Sequence, residues 1–371
     1  MPEMFLAGPP GAESVLLDEA RAHGFQSLQE TPGGVTVSGP LSEAWRANLL
    51  LRCPTRVLIR LAEFPAAHLA QLDKRARKLP WGDWLRSDVP VSVEATTRAS
   101  RIYHQGAAAQ RVATAIAETL GAPLAKPDAA EIRLHLRIDR NLCTLSVDSS
   151  GEPLHRRGFK QAVGKAPLRE SLAAIFLRQA GHDPAEPVLD PMCGSGTLVL
   201  EAAEIACGLA PGRHRPFAFE RLAGFDPEAW HALLDAAMPP EPKGPPRHHG
   251  FDRDEGAVAS ARANAERAGL ADHVIFERRA IRDAAPPEGS PPGLVIVNPP
   301  YGDRIGDKKA LRALYGALGR TLKERFQGWR AAVVTSEPAL AHAMGLPLEP
   351  PPPPLPHGPL RIRLHRTGVI A

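Results

Sequence analysis

The sequence predicts an α/β protein whose C-terminal part is a doubly wound, mostly parallel sheet and whose N-terminal part consists of smaller α+β units. Three observations carry that expectation. The chain has 371 residues, more than one domain usually holds. From about residue 187, apolar strand-like runs alternate with amphipathic helix-length runs, the order of a sheet covered on both faces. Ahead of it, EIRLHLRID and NLCTLSVDSS alternate apolar and polar residues around Asp139, Arg140 and Asn141, which reads as a hairpin.

The elements follow in order. In residues 1–60, FLAGPPGAESVLLDEARAHGF places a short apolar strand, a Gly/Pro turn and a helix of period 3.6 in one small unit. Residues 61–154 continue with the helix AAHLAQLDKRARKL, the strand VPVSVEATT, the helix GAAAQRVATAIAETL and the hairpin. A basic connector, EPLHRRGFKQAVGKAPLRE, then leads into the helix ESLAAIFLRQAG, so a third unit, residues 155–371, starts here. It runs strand (PVLD), helix (TLVLEAAEIACG), Pro-rich insertion, strand (HGFD), helix, strand (HVIFERRA), strand (GLVIVN), helix and strand (WRAAVVTS). Pro350 to Pro354 form an extended connector, and LRIRLH reads as a half-buried antiparallel strand.

Composition narrows the function classes. Hydrophobic residues make up 43% and charged residues 23%, ordinary for a globular protein. No basic, apolar leader and no apolar run of spanning length is present, so a cytoplasmic protein without a membrane partner is expected. Cys53, Cys143, Cys193 and Cys207 form no C-x-x-C pair, which fits reduced thiols and no metal. A net charge of +4 is compatible with a polyanionic partner.

Two strings carry chemistry. Val188-Leu189-Asp190-Pro191-Met192-Cys193-Gly194-Ser195-Gly196-Thr197 is an apolar strand, a small-residue turn and a helix that Thr197 helps to start. Glycines there let a ligand approach the backbone, and the helix start offers unpaired N–H donors. An NAD fingerprint would require Gly at 199, where Val199 stands, and no Gly-Lys-Ser/Thr of a phosphate loop follows. Further on, Gly250-Phe251-Asp252-Arg253-Asp254 ends a strand with an acid. Asp252 suits the two hydroxyls of a ribose, and Asp254 suits a helix cap.

The second string is Leu294-Val295-Ile296-Val297-Asn298-Pro299-Pro300-Tyr301-Gly302. An exocyclic amine is a poor nucleophile, because its lone pair is delocalised into the ring. The Asn298 side-chain oxygen and the Pro299 carbonyl suit the two amine protons, which would leave the lone pair aimed at a methyl donor. Pro299 and Pro300 stiffen the corner, and Tyr301 offers a stacking face to a base swung out of its helix. Among the basic segments, Arg156, Arg157, Lys160, Lys165 and Arg169 of the connector are the expected phosphate contacts, with Lys74 to Lys78 and the aromatics Trp81, Trp84, Tyr103 and Phe159 nearby in the sequence.

Together these strings resemble the bacterial THUMP-domain RNA guanine-N2 methyltransferases, over nearly the whole chain. FLAGPPGAE is similar to their N-terminal ferredoxin-like piece. VEATTRASRIYHQGA through LCTLSVDSSGEPLHRRGF is similar to THUMP plus linker, and APLRESLAA, DPMCGSGTLVLEAA, APGRHRPFAFERL, NPPYGDRIG and FQGWRAAVVTS are similar to the methyltransferase domain. The resemblance implies a Rossmann-like class I methyltransferase domain behind ferredoxin-like and THUMP subdomains, with S-adenosylmethionine as cofactor. Asp190, Met192, Cys193, Gly194, Ser195, Gly196 and Thr197 would lie around the cofactor's methionine end, Asp252 and Arg253 at its ribose, and Asn298 to Tyr301 at the base, with Asn298 also against the cofactor.

This chain departs from the pattern twice. RRAIRD has Ala280 where relatives place an acid for the adenine amino group, so Asp283 is the expected substitute; and LEPPPPPLP stands in place of an aromatic, basic strand, which shortens one edge strand. The expected reaction is methylation of guanine N2 in 23S rRNA by a monomer. The alternatives are tRNA guanine, adenine N6 in DNA, and a non-catalytic RNA-binding assembly factor.

Overall fold

The computed structural model describes residues 1–160, 168–239, 247–301 and 308–371. The chain forms two compact units. One consists of Met1–Gly8, Leu16–Leu154 and Arg215–Ala237, the other of Pro9–Val15, His155–His214 and Met238–Ala371.

The first unit holds strands β1 (Glu3–Ala7), β2 (Leu28–Thr31), β3 (Gly34–Ser38), β4 (Arg56–Pro65), β5 (Val91–Arg98), β6 (Ile132–Asp139) and β7 (Leu142–Asp148). They form a single sheet in the order β2-β3-β1-β4-β7-β6-β5, in which β5 and β6 are the parallel pair. The ten-residue β4 joins it together. Its first half pairs with β1 (Leu58 beside Phe5) and its length pairs with β7, with an irregularity between Arg60 and Ala62. The boundary expected at residue 60 therefore falls inside a strand, and the segments expected as separate subdomains share one sheet.

The hairpin between β6 and β7 turns as its residues require. Arg140 and Asn141 both have positive φ, 50° and 63°, the pair of left-handed residues that matches strand twist in a two-residue turn. Residues 215–237, expected within the catalytic domain, instead pack in this first unit. Their aromatic side chains supply the reason: Phe219 stacks on Trp45 at 5.8 Å and meets Trp230 of helix Pro227–Ala236 at 4.9 Å.

The second unit contains β8 (Val188–Asp190), β9 (His248–Asp252), β10 (Val274–Arg278), β11 (Leu294–Val297), β12 (Arg330–Thr335), β13 (Leu355–His357) and β14 (Leu360–Val369), in the order β10-β9-β8-β11-β12-β14-β13. The first five strands of that order are parallel. β14 runs against β12, and the three-residue β13 runs against β14. Pro356 sits in that short edge strand, the place a sheet tolerates a residue without N–H. In β14, Ile362 and Leu364 are buried while Leu360 is exposed.

Strand direction of travel changes between β8 and β11. The chain moves outward from β8 to β9 and β10, then restarts on the other side with β11 and β12. In such sheets the crevice beyond the carboxyl ends at this switch point is where ligands bind. The elements flanking it are helix Thr197–Ala206 after β8, helix Glu255–Ala268 after β9, and helix Lys308–Arg325, which precedes β12. Among the described residues no helix is long and apolar enough to cross a membrane.

Candidate active site

The register places the two chemical strings side by side. Leu294 and Val295 of β11 pair with Val188 and Leu189 of β8, and Asp190 of β8 pairs with Gly250 of β9. Asp190, Asp252 and Asn298 thus leave the sheet at the carboxyl ends of three adjacent parallel strands. Met192 and Tyr301 lean on the same apolar cluster, which is built around Leu189, Phe251, Val295 and Val297.

The turn after β8 is held by backbone and carboxylates. Asp190 Oδ1 accepts the N–H of Met192 at 2.9 Å, and Cys193 N donates to Phe251 O at 2.8 Å. Asp252 spans two segments: Oδ2 accepts Gly194 N and Oδ1 accepts Asp254 N, each at 3.0 Å. Asp254 caps the following helix by accepting Ala257 N at 3.1 Å. Asn264, fully buried, donates to Ser195 O at 3.1 Å.

Glycine is required at two points of this turn. Gly194 and Gly196 have φ of 54° and 84°, and a Cβ on Gly196 would lie 2.8 Å from the Phe276 ring. Gly196 precedes the helix and supplies no side-chain cap, and Thr197 is the first residue of the helix, so its hydroxyl does not stand at the capping position. The Thr197 hydroxyl accepts Lys160 Nζ at 2.8 Å instead.

Burial tunes the acids. Asp190 is 2% exposed, and its pKa is pushed up to about 8 by desolvation, with the neighbouring Asp252 charge adding to the rise. Burial also raises the Cys193 thiol well above its ordinary range. Both groups therefore favour neutral forms.

Beyond β11, Pro299 is buried and Asn298, Pro300 and Tyr301 are partly buried. Asn298 Oδ1 is a buried oxygen with no hydrogen-bond partner among the described residues. A native structure rarely leaves such an acceptor unmade, because desolvation without compensation costs about 1–3 kcal/mol. Burial pushes the Tyr301 hydroxyl up to about 12, which keeps it neutral.

Several expected residues prove to have other tasks. Arg157, proposed for phosphate contact, is 2% exposed and forms ion pairs with Glu201 and Glu204. Lys160 is pinned among Glu170, Thr197 and the Leu168 carbonyl, with only 8% of its side chain exposed. Neither ammonium nor guanidinium is presented to a polyanion, and those two expectations are corrected. Arg156 and Arg169 are exposed, and Lys165 lies outside the described residues. Arg253 is exposed beside the Asp252 carboxylate, and Asp283 is exposed in a short turn of 3-10 helix, 3.5 Å from Arg282. Ile281, in that same turn, packs on the cluster that holds Met192 and Tyr301.

A basic surface in the first unit went unnoticed in the sequence because its members are scattered. The loop after β5 is tied to the β6–β7 turn by Arg101 N to Asn141 Oδ1 at 2.8 Å and by Asn141 N to Ser100 Oγ at 3.0 Å. That tie gathers Arg98, Arg101, Arg137 and Arg140 with Tyr103, which is 82% exposed. Asp139 pairs with Arg137 and Arg140; Arg98 and Arg101 have no ion-pair partner among the described residues. Among those residues, too, no group of three His, Cys, Asp or Glu side chains is placed to hold a metal.

The sheet order, the glycine turn and the Asn-Pro-Pro-Tyr corner define a class I methyltransferase fold. Residues 157–347 match the family model described as RMKL-like, methyltransferase domain, residues 3–58 the RlmL ferredoxin-like domain and residues 66–148 the THUMP domain. The chain belongs to the RMKL-like methyltransferase family. Over 362 residues, 93% of the chain, it is 40% identical to the ribosomal RNA large subunit methyltransferase K/L of Syntrophotalea carbinolica, of which it covers 50%. The chain thus spans about half the length of the curated K/L relatives it matches. A Synechocystis protein named as an RNA methyltransferase is 33% identical, with 91% of this chain and 89% of that protein covered. Among solved structures, the methyltransferase SMU.472 in complex with SAH is 26% identical, with a TM-score of 0.87 over 99% of this chain and 97% of that one.

Proposed function

We propose that the chain transfers a methyl group from S-adenosylmethionine to the exocyclic N2 of a guanine in structured RNA, in large-subunit 23S rRNA, in the cytoplasm. The observation that carries this reading is Asn298 Oδ1, a buried acceptor with no donor among the described residues, at the end of β11 and beside the glycine turn. An amino group is a donor that fits it.

The residues present fit the cofactor. Asp252 uses one lone pair on each oxygen for Gly194 and Asp254, so each oxygen retains capacity for a ribose hydroxyl. The turn 192–196 exposes backbone at a helix start, where the methionine end would lie. S-adenosylmethionine, when bound, supplies a methyl carbon already activated by its sulfonium. What remains for the protein is placement, the factor that effective molarities show to be large.

Placement falls to the corner. Asn298 Oδ1 and the Pro299 carbonyl each accept one amine proton, which draws the nitrogen toward a pyramidal shape with its lone pair facing the donor. Tyr301, neutral and half-buried, offers its ring to the flipped base. The Arg98, Arg101 and Arg140 surface with Tyr103 supplies phosphate contacts and a stacking platform for RNA. The names of the K/L relatives support ribosomal RNA as substrate.

The test compares nucleosides by mass spectrometry in RNA from wild-type and deletion cells. Loss of N2-methylguanosine from the large-subunit RNA is expected. Unchanged N2-methylguanosine in all RNA overturns the reading, and a loss confined to tRNA moves the substrate to tRNA.

A further inference from the structure

The corner is buttressed by a buried side chain from the helix that precedes β12. Tyr315, on helix Lys308–Arg325, is fully buried. Its hydroxyl donates to the Pro300 carbonyl at 3.4 Å, long for such a bond. Thr335, the last residue of β12 and also fully buried, is a polar neighbour of the Tyr315 hydroxyl, and Thr335 Oγ1 accepts the N–H of Glu337 at 3.1 Å. Two bonds of this line are in place: Glu337 N–H donates to Thr335 Oγ1, and Tyr315 O–H donates to the Pro300 carbonyl.

We propose that Tyr315 is a positioning residue for methyl transfer, which, oriented by Thr335, sets the Pro300 carbonyl and with it the distance of the Asn298–Tyr301 corner from the methyl donor. The physical need is specific. Pro299 and Pro300 have no N–H, so the corner cannot be fixed by donating to a ladder, and its carbonyls are the handles left. A carbonyl held from β12 and the preceding helix ties the corner to rigid elements instead of to its own loop. The Tyr315 ring alone fills space; the hydroxyl is what reaches the corner, so the two functions separate by substitution.

This inference rests on the methyltransferase reading above, and its test distinguishes the two. Tyr315→Phe in the full chain keeps the ring and deletes the donor. With unmodified in vitro transcribed large-subunit rRNA and saturating S-adenosylmethionine, the single-turnover rate should fall about tenfold, the scale of a sub-ångström misplacement. Cofactor Kd and RNA Kd should be unchanged, and amide exchange at Tyr301 should quicken in the protein without substrate. Thr335→Val should give a smaller loss in the same direction, and Thr335→Ser should restore the wild-type rate. An unchanged rate, or a loss that follows weaker cofactor or RNA binding, overturns the proposal. Should Tyr315→Phe not fold, the Thr335 pair decides by the same criteria. Should the wild-type chain methylate no RNA, the functional reading fails while amide exchange at Tyr301 still decides whether Tyr315 orders the corner.

Discussion

Arg157 and Glu201 face each other at 2.7 Å with both side chains 1% exposed, and Glu204 joins them at 3.0 Å from the same guanidinium. Glu201 and Glu204 sit on helix Thr197–Ala206, directly after the glycine turn, so the pair ties the connector to the helix that shapes the site. The two glutamate charges hold the guanidinium protonated against the cost of its burial. Removing one partner would strand buried charge. Arg157→Ala is therefore expected to lower unfolding free energy by about 3–5 kcal/mol. Urea denaturation measures it, and a loss of about 1 kcal/mol or less, the worth of an exposed pair, would contradict the burial.

Asp190 gives a pH prediction. Its folded pKa, about 8, lies above the ordinary carboxylate value, so the folded protein binds a proton that the unfolded chain releases. The stability from this group is complete below about pH 4 and is lost as pH rises through about 8. Asp190→Asn keeps an oxygen for Met192 N–H and removes the titration. The cofactor-free variant should melt higher than wild type at pH 8, with a flatter profile between pH 4 and 8 in scanning calorimetry. Equal slopes would show that another group carries the dependence.

The glycines of the turn should respond unequally. Gly194→Ala meets nothing within 4 Å among the described residues, and its cost is the left-handed backbone, about 1 kcal/mol. Gly196→Ala adds contact with the Phe276 ring at 2.8 Å, a further loss of about 1–3 kcal/mol. Equal losses in chemical denaturation would mean that Phe276 moves aside freely.

The basic surface of the first unit predicts a salt signature. Each of Arg98→Gln and Arg101→Gln should reduce the slope of log affinity against log salt by about 0.7 for a single-stranded RNA probe. Tyr103→Ala should weaken that probe by about 1–3 kcal/mol with the slope unchanged. Fluorescence anisotropy across a salt series reads both, and unchanged slopes would remove this surface from RNA binding.

Asn298→Ala should abolish turnover and leave cofactor binding largely intact by calorimetry. Joint loss of both would contradict the role given to its side-chain oxygen.

Much of this was legible because it is local. The β6–β7 hairpin follows from alternation and from Asp139, Arg140 and Asn141, and the two left-handed φ values are what such a turn demands. Asp254 read as a cap because cap chemistry spans three residues. The short β13 follows from proline's missing donor. Arg157 and Lys160 misled for the opposite reason. A basic cluster looks solvated in sequence, and the buried glutamates that neutralise it lie 44, 47 and 10 residues away.

By itself the sequence determined the alternating order of the second unit, the glycine turn, the acid after β9 and the Asn-Pro-Pro-Tyr corner, since periodicity and turn chemistry act over a few residues. The tertiary structure alone decided that β4 fuses the N-terminal segments into one sheet, that residues 215–237 belong to that first unit, and that Tyr315 stands behind Pro300. Those outcomes depend on pairings between residues far apart in the chain. Only the packed fold can select them, by burying one set of apolar and polar groups together in place of another.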